Sequence, residues 1–274
     1  MEQYTKISYQ LAKTVTQDYS TSFSKSSALF DKKIRNHIYA IYGLVRVADE
    51  VVDTYRGKDA GRVIKELEAH TLQAMKTGFS PNPLVHAFVV TAKRYGIDRK
   101  LVRPFFKSMY MDIKPRSFSR HLYALYIYGS AEVIGLMCLK IFCDDQQLYK
   151  QLEPGARALG SAYQKVNFLR DLKDDYEERG RVYFPGIHYD KFNDRQKDII
   201  IKDIRLDFEH AKPAVAQLPK NARVAVATSY KYYSALLNKL ERTSAEEIKS
   251  KRVRINNVQK AALLLKTRLT RGRI

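Results

Sequence analysis

The segment from His37 to Asp53 limits the folds open to this chain. Ile38, Ile41, Val45 and Val52 recur at three, four and seven residues, the spacing of one buried stripe on a helix. In the same segment Tyr42, Arg46, Asp49 and Asp53 recur at four, three and four, so a line of polar groups runs along a helix otherwise made of Ile, Val, Leu and Ala. A solvated face usually mixes Lys with Glu, whereas this one aligns Tyr, Arg and two Asp. A fold built on it must bury the helix on most sides and still leave a hollow for its carboxylates.

A second ladder lies downstream. In "NFLRDLKDDY" (Asn167 to Tyr176) the aspartates Asp171, Asp174 and Asp175 crowd together in a chain of formal net charge +20. Gln164, Asn167, Asp171 and Asp175, three, four and four apart, share one helical face, while Phe168, Leu169 and Leu172 fall elsewhere and can pack. Two such aspartate pairs on facing helices would line one cavity with four carboxylates, which raise each other's pKa unless cations neutralise them. Oxygen donors of this kind suit Mg2+, which is usually held by one or two carboxylates plus substrate phosphates. Arg46 and Arg170, one beside each pair, offer forked hydrogen bonds to phosphate oxygens. The pattern predicts a site that takes a metal and a diphosphate together.

Helical periodicity dominates elsewhere. It predicts helices over residues 62–78, Leu84–Tyr95, Leu101–Met111, Phe118–Phe142, Pro154–Glu178, Asp194–Gln217, Pro219–Leu240 and Gln259–Thr270, with Pro154 and Pro219 in first-turn positions. Only "GRVYFPG" (Gly180 to Gly186) reads as an extended loop. No linker, repeat or low-complexity tract divides the 274 residues, so one all-α domain over 1–274 is expected. The most apolar stretch, His121 to Leu139, has Glu132 near its middle, and its Gly129, Ser130 and Gly135 suit close packing, so a buried helix is expected rather than a membrane span.

Composition bears on partners. The 49 Lys and Arg against 29 Asp and Glu give a pI near 9.8, which favours polyanions: nucleic acid, an acidic membrane surface or a phosphorylated small molecule. No helix-turn-helix, zinc-ligand spacing or RNA-binding signature occurs, so nucleic acid is not expected. Residues 248–274 carry nine basic side chains and no acidic one, a candidate surface for phosphate or anionic headgroups. Cys138 and Cys143 have neither metal nor disulfide spacing and are expected to be reduced, in the cytoplasm. The N-terminus lacks the basic start and apolar run of a secretory signal.

"DEVVD" (Asp49 to Asp53) and "YQKVNFLRDLKDDYEERGRVYFP" (Tyr163 to Pro185) resemble the two aspartate-rich signatures of the squalene and phytoene synthases, the head-to-head trans-isoprenyl diphosphate synthases. The likeness runs from "YSTSF" (Tyr19 to Phe23) through "YIYGSAEVIG" (Tyr126 to Gly135) to "KYYSALL" (Lys231 to Leu237), and is greatest to the bacterial phytoene branch. The resemblance implies an isoprenoid synthase helical bundle around a central apolar cavity. It also implies three Mg2+ ions, held by Asp49, Asp53, Asp171 and Asp175 with Asn167 and Gln164 in support. Two geranylgeranyl diphosphates would condense through a cyclopropylcarbinyl diphosphate to a linear hydrocarbon, with Arg46 and Arg170 at the departing diphosphates. Ser20, Ser22 and Phe23 would lie at the first diphosphate and the prenyl entrance, Tyr42 and Tyr128 near the reacting carbons, and Tyr233 and Arg252 at diphosphate contacts.

Two other readings remain open. Farnesyl diphosphate as substrate would give dehydrosqualene or, with NADPH, squalene; NADPH is not expected. A non-catalytic helical assembly protein of the same fold is the other, and retention of all four aspartates counts against it. An amphiphilic substrate and an insoluble product imply work at a membrane surface, and no protein partner is indicated.

Overall fold

Periodic hydrophobicity becomes a bundle of helices in the computed structural model, which describes residues 1–19, 25–55, 57–113 and 117–274. In chain order they are α1 (Glu2–Tyr19), α2 (Lys32–Asp53), α3 (Ala60–Thr77), α4 (Pro83–Tyr95), α5 (Arg99–Asp112) and α6 (Arg120–Ile127). A π-helical turn, Tyr128–Glu132, joins α6 to α7 (Val133–Phe142). There follow α8 (Gln146–Arg170), α9 (Leu172–Arg179), α10 (Asp194–Gln217), α11 (Lys220–Arg242), α12 (Ala245–Ser250) and α13 (Asn257–Leu269). Side-chain caps fix several starts: Asp31, Asn82 and Asp145 accept backbone N–H groups at the heads of α2, α4 and α8.

Helix α2 runs through the core, burying Ile34, Ile38, Ile41 and Leu44, and packs on α1, α4, α5 and α7. Helix α8 lies along α10, joined by the buried Lys165, whose Nζ meets Asp203 at 2.6 Å and Asp207 at 2.8 Å. The stretch from α6 to α7 sits between α5 and α8, where glycine permits backbone contact. A Cβ on Gly129 would stand 2.2 Å from the Pro104 carbonyl oxygen, and one on Gly160 2.8 Å from that of Ala131. This stretch, Arg120–Phe142, is long and apolar enough to cross a membrane by length and composition. Only 39% of its most apolar window is buried, and its Glu132 accepts an exposed hydrogen bond from Arg157 at 2.6 Å.

Several boundaries differ from the sequence reading. Helix α1 has no apolar period to betray it, because the residues it buries are Ser8, Ala12 and Thr16 while Ile7 and Leu11 are exposed. Pro154 is not in a first turn: the Asp145 cap starts α8 earlier, and the proline sits in the helix interior. Pro219 is the residue before α11 rather than its first. The predicted helix Pro154–Glu178 is two helices, interrupted at Asp171 by a backbone at φ −100° and ψ 11°. Aspartate tolerates that conformation better than most residues. Gly180–Gly186 does form a loop, with Val182 in an isolated bridge to Ser117. Both cysteines are free thiols, Cys143 buried and Cys138 half-buried.

One buried histidine ties the fold to pH. His37 on α2 shares its Nδ1 with Thr91 Oγ1 at 2.9 Å and Tyr9 Oη at 3.1 Å. Burial, then the Arg94 charge, pushes it down to about 4. The unfolded chain protonates near 6.5, so stability is full above that pH and is lost as pH falls toward 4, by about 3 kcal/mol. Urea unfolding of the native chain and of His37→Asn at pH 7.5, 5.5 and 4.5 should show a steeper loss in the native chain. Parallel losses would contradict the assignment.

Candidate functional site

The two aspartate helices meet through arginines. Arg179, at the end of α9, lies 3.1 Å from Asp175 and 3.5 Å from Asp53, so one guanidinium bridges the two signatures. Arg181, just beyond, donates to Asp53 at 2.8 Å, to the Val52 carbonyl at 3.0 Å and to the Asp112 carbonyl at 2.7 Å. Asp171 is gripped from two sides, by Arg170 Nε at 2.8 Å and Arg252 Nε at 2.7 Å. The helix interruption leaves the ladder in register, because Asp171 N–H bonds the Asn167 carbonyl and Asp175 N–H bonds that of Asp171.

Asp49 is the exception. It makes no hydrogen bond or salt bridge to a described residue. Desolvation, then the neighbouring Asp53, pushes its carboxyl up to about 8. Asp175 is pushed up to about 7 by desolvation and then by Asp171, against the pull of Arg179. Carboxylates under such strain are a cation-hungry set. Among the described residues no three His, Cys, Asp or Glu side chains form a ready-made metal cage. The donors are nevertheless all hard oxygens, one of them unpartnered among the described residues, and fit Mg2+ shared with a diphosphate. Asp49, Asp53, Asp171 and Asp175 would hold it, and the Asn167 carboxamide stands one turn from Asp171.

Two cavities join beside this cluster. A polar mouth of about 730 Å³ is lined by Tyr42, Arg46, Asn167, Arg170, Tyr233 and Arg252, together with Lys25, Arg254 and Lys260. An apolar tunnel of about 290 Å³ is lined by Ile38, Val45, Ile134, Gly135, Leu139, Leu152, Gly160 and other small or aliphatic side chains. Ser26, Tyr163, Asn167, Ser229 and Tyr233 belong to both walls. At the junction the Tyr163 and Tyr233 rings stack at 4.1 Å, and Tyr233 donates to Asn167 at 3.3 Å. Leu152 and Asn167, fifteen residues apart on α8, set the tunnel's reach at about 22 Å. At its end away from the mouth the Phe30 and Phe142 rings stack at 5.3 Å. Gly135 and Gly160 serve both close helix contact and the tunnel wall.

Tyr42, Arg46, Asn167, Arg170, Tyr233 and Arg252 are thus brought to one mouth, whereas Asp49, Asp53, Asp171 and Asp175, expected to line the cavity, line neither wall and reach the mouth through Arg170 and Arg252 on Asp171. Arg46 pairs with Glu50 and stacks on Tyr19 at 4.4 Å, yet among the described residues its buried Nε has no acceptor. Ser20, Ser22 and Phe23 lie outside the described residues. Gln164 and Tyr128 line neither cavity; Tyr128 has Arg157 over its ring at 5.2 Å. Sequence reasoning missed Arg179 and Arg181, although both stand in the second signature around Gly180. It also missed Asp112, the one carboxylate of α5, at its C-terminal end.

Comparison with known proteins gives the family and the fold. Residues 16–259 match the squalene/phytoene synthase family. The chain is 29% identical to the chloroplastic phytoene synthase 1 of Arabidopsis thaliana across 93% of its own length and 65% of the relative's, just under two thirds. It is 28% identical to the phytoene synthase of Arthrospira platensis across 86% and 84%. Its backbone follows a dehydrosqualene synthase crystallised with a ligand at a TM-score of 0.83 over 98% of each chain, at 19% identity, a likeness of fold.

Proposed function

Because the chain belongs to the squalene/phytoene synthase family, we propose that it is a prenyltransferase joining two geranylgeranyl diphosphates head to head into phytoene, with loss of diphosphate. The observation that carries the reading is the convergence of the two aspartate pairs, bridged by Arg179, beside a cavity that passes from cationic to apolar. That gradient matches a diphosphate head on a hydrocarbon tail. Bound Mg2+ would supply positive charge to the departing diphosphate.

The chain's own groups do the rest. Arg46, Arg170 and Arg252 present guanidiniums at the mouth, where charge develops on the leaving oxygens. The buried Nε of Arg46, without an acceptor among the described residues, is a donor in want of an oxyanion. The tunnel's aliphatic wall excludes water from an allylic cation, and the stacked Tyr163 and Tyr233 rings line its junction with the mouth. Contact with a membrane surface and a cytoplasmic location belong to the same proposal. Incubation with geranylgeranyl diphosphate and Mg2+, without NADPH, should yield phytoene; no hydrocarbon from this substrate or from farnesyl diphosphate would reject the enzyme reading.

The tunnel floor sets tail length in this reading. Phe142→Leu, which opens the Phe30–Phe142 stack, should raise the kcat/KM ratio for a twenty-five-carbon over a twenty-carbon diphosphate by about tenfold. An unchanged ratio would place the length filter elsewhere.

A further inference from the structure

Helix α13 has two unlike faces. On the protein side Thr267 is buried, and Lys260, Ala261, Leu263 and Leu264 line the polar mouth. On the far side Val258, Ala262, Leu265 and Leu269, spaced four, three and four apart, form one stripe. Val258, Leu265 and Leu269 are 78%, 60% and 76% exposed. At the helical angle per residue, Lys266 and Arg268 flank this stripe on opposite edges. Bare apolar stripes of this kind mark surfaces that something covers. The basic edges and the absence of any acidic residue in 248–274 favour an anionic cover.

We propose that this outer face of α13 docks the protein on an anionic lipid bilayer. Val258, Leu265 and Leu269 enter the boundary between headgroups and acyl chains, and Lys266 and Arg268 meet lipid phosphates. The inference rests on the reading that substrate and product are lipids. The helix that touches the bilayer is also a wall of the mouth, so docking brings the opening to the lipid surface. A second copy of this chain is the poorer cover, because two such faces would set like charges against each other.

The test is co-sedimentation of the full chain, without substrate, with vesicles of phosphatidylcholine alone or mixed with phosphatidylglycerol. Binding should be at least about tenfold stronger on the anionic vesicles and should weaken with salt. The double variant Leu265→Asp, Leu269→Asp should lose it, and Lys266→Gln, Arg268→Gln should weaken it several-fold. Both should keep their helical circular dichroism and their turnover of detergent-dispersed substrate. Equal binding to the two vesicle types, or native binding by both double variants, overturns the proposal. So does a native dimer that the aspartate variant makes monomeric. Binding is read without turnover, so a chain that docks but makes no hydrocarbon would sink the enzyme reading alone.

Discussion

Asp49→Asn should lower hydrocarbon formation by about a thousandfold while leaving the fold as stable as before, or more so. Loss of one preorganised electrostatic contribution costs two to three orders of magnitude in turnover, and this carboxylate is assigned to the cation that draws off diphosphate. Stability moves the other way for a separate reason. Asp49 has no hydrogen-bond or salt-bridge partner among the described residues, and its surroundings push it up to about 8. A neutral amide therefore spares the folded state the cost of protonating or desolvating a carboxylate there. Asp171→Asn should stop turnover as well, but it frees Arg170 and Arg252 and so carries a stability penalty. Product assays beside thermal melts separate the two cases. Near-native rates in both variants would remove the aspartates from the chemistry.

Arg181→Met should cost about 3–5 kcal/mol of stability at pH 8. The guanidinium is only 7% exposed, and it satisfies two backbone carbonyls and Asp53 while lying 3.8 Å from the buried Asp112 carboxylate. Asp112 also accepts from Tyr126 at 2.6 Å and Tyr183 at 3.0 Å. Burial already pushes Asp112 up to about 6 against the pull of Arg181. Without that arginine it rises further. A carboxyl whose folded pKa exceeds its unfolded value loses stability as pH rises between the two. The deficit of the variant should therefore be smaller at pH 5 than at pH 8. Urea unfolding at both values tests this, and a deficit under 1 kcal/mol at pH 8 would mean the cluster is not held as described.

Helix content and the aspartate ladders were legible in the sequence because both are periodic, and a period survives without any knowledge of neighbours. Residues 37–53 needed nothing else to declare a buried helix with one polar seam. The arginine lattice was not legible for the opposite reason: Arg179 and Arg181 act on Asp53, more than 120 positions away in sequence, and no local pattern encodes that pairing. Asp112 was silent too, since its partners come from α6 and the loop after α9. Tyr128 shows the limit of carrying a role by position. A motif fixes where a residue stands in the chain, while the π turn it begins decides which way the ring faces.

That π turn has a consequence of its own. A five-residue turn holds one residue more than an α-helix needs, and one residue amounts to about 100° of rotation. The two halves of Arg120–Phe142 are therefore out of phase, and the offset lets one rod serve two masters: Tyr126 reaches Asp112 while Ile134, Gly135 and Leu139 face the hydrocarbon channel. Deleting a single residue between 128 and 132 would restore an unbroken spiral, yet it would swing one of these sets away from its target. Insertions and deletions here are thus a gear setting between the charged end of the molecule and its greasy interior.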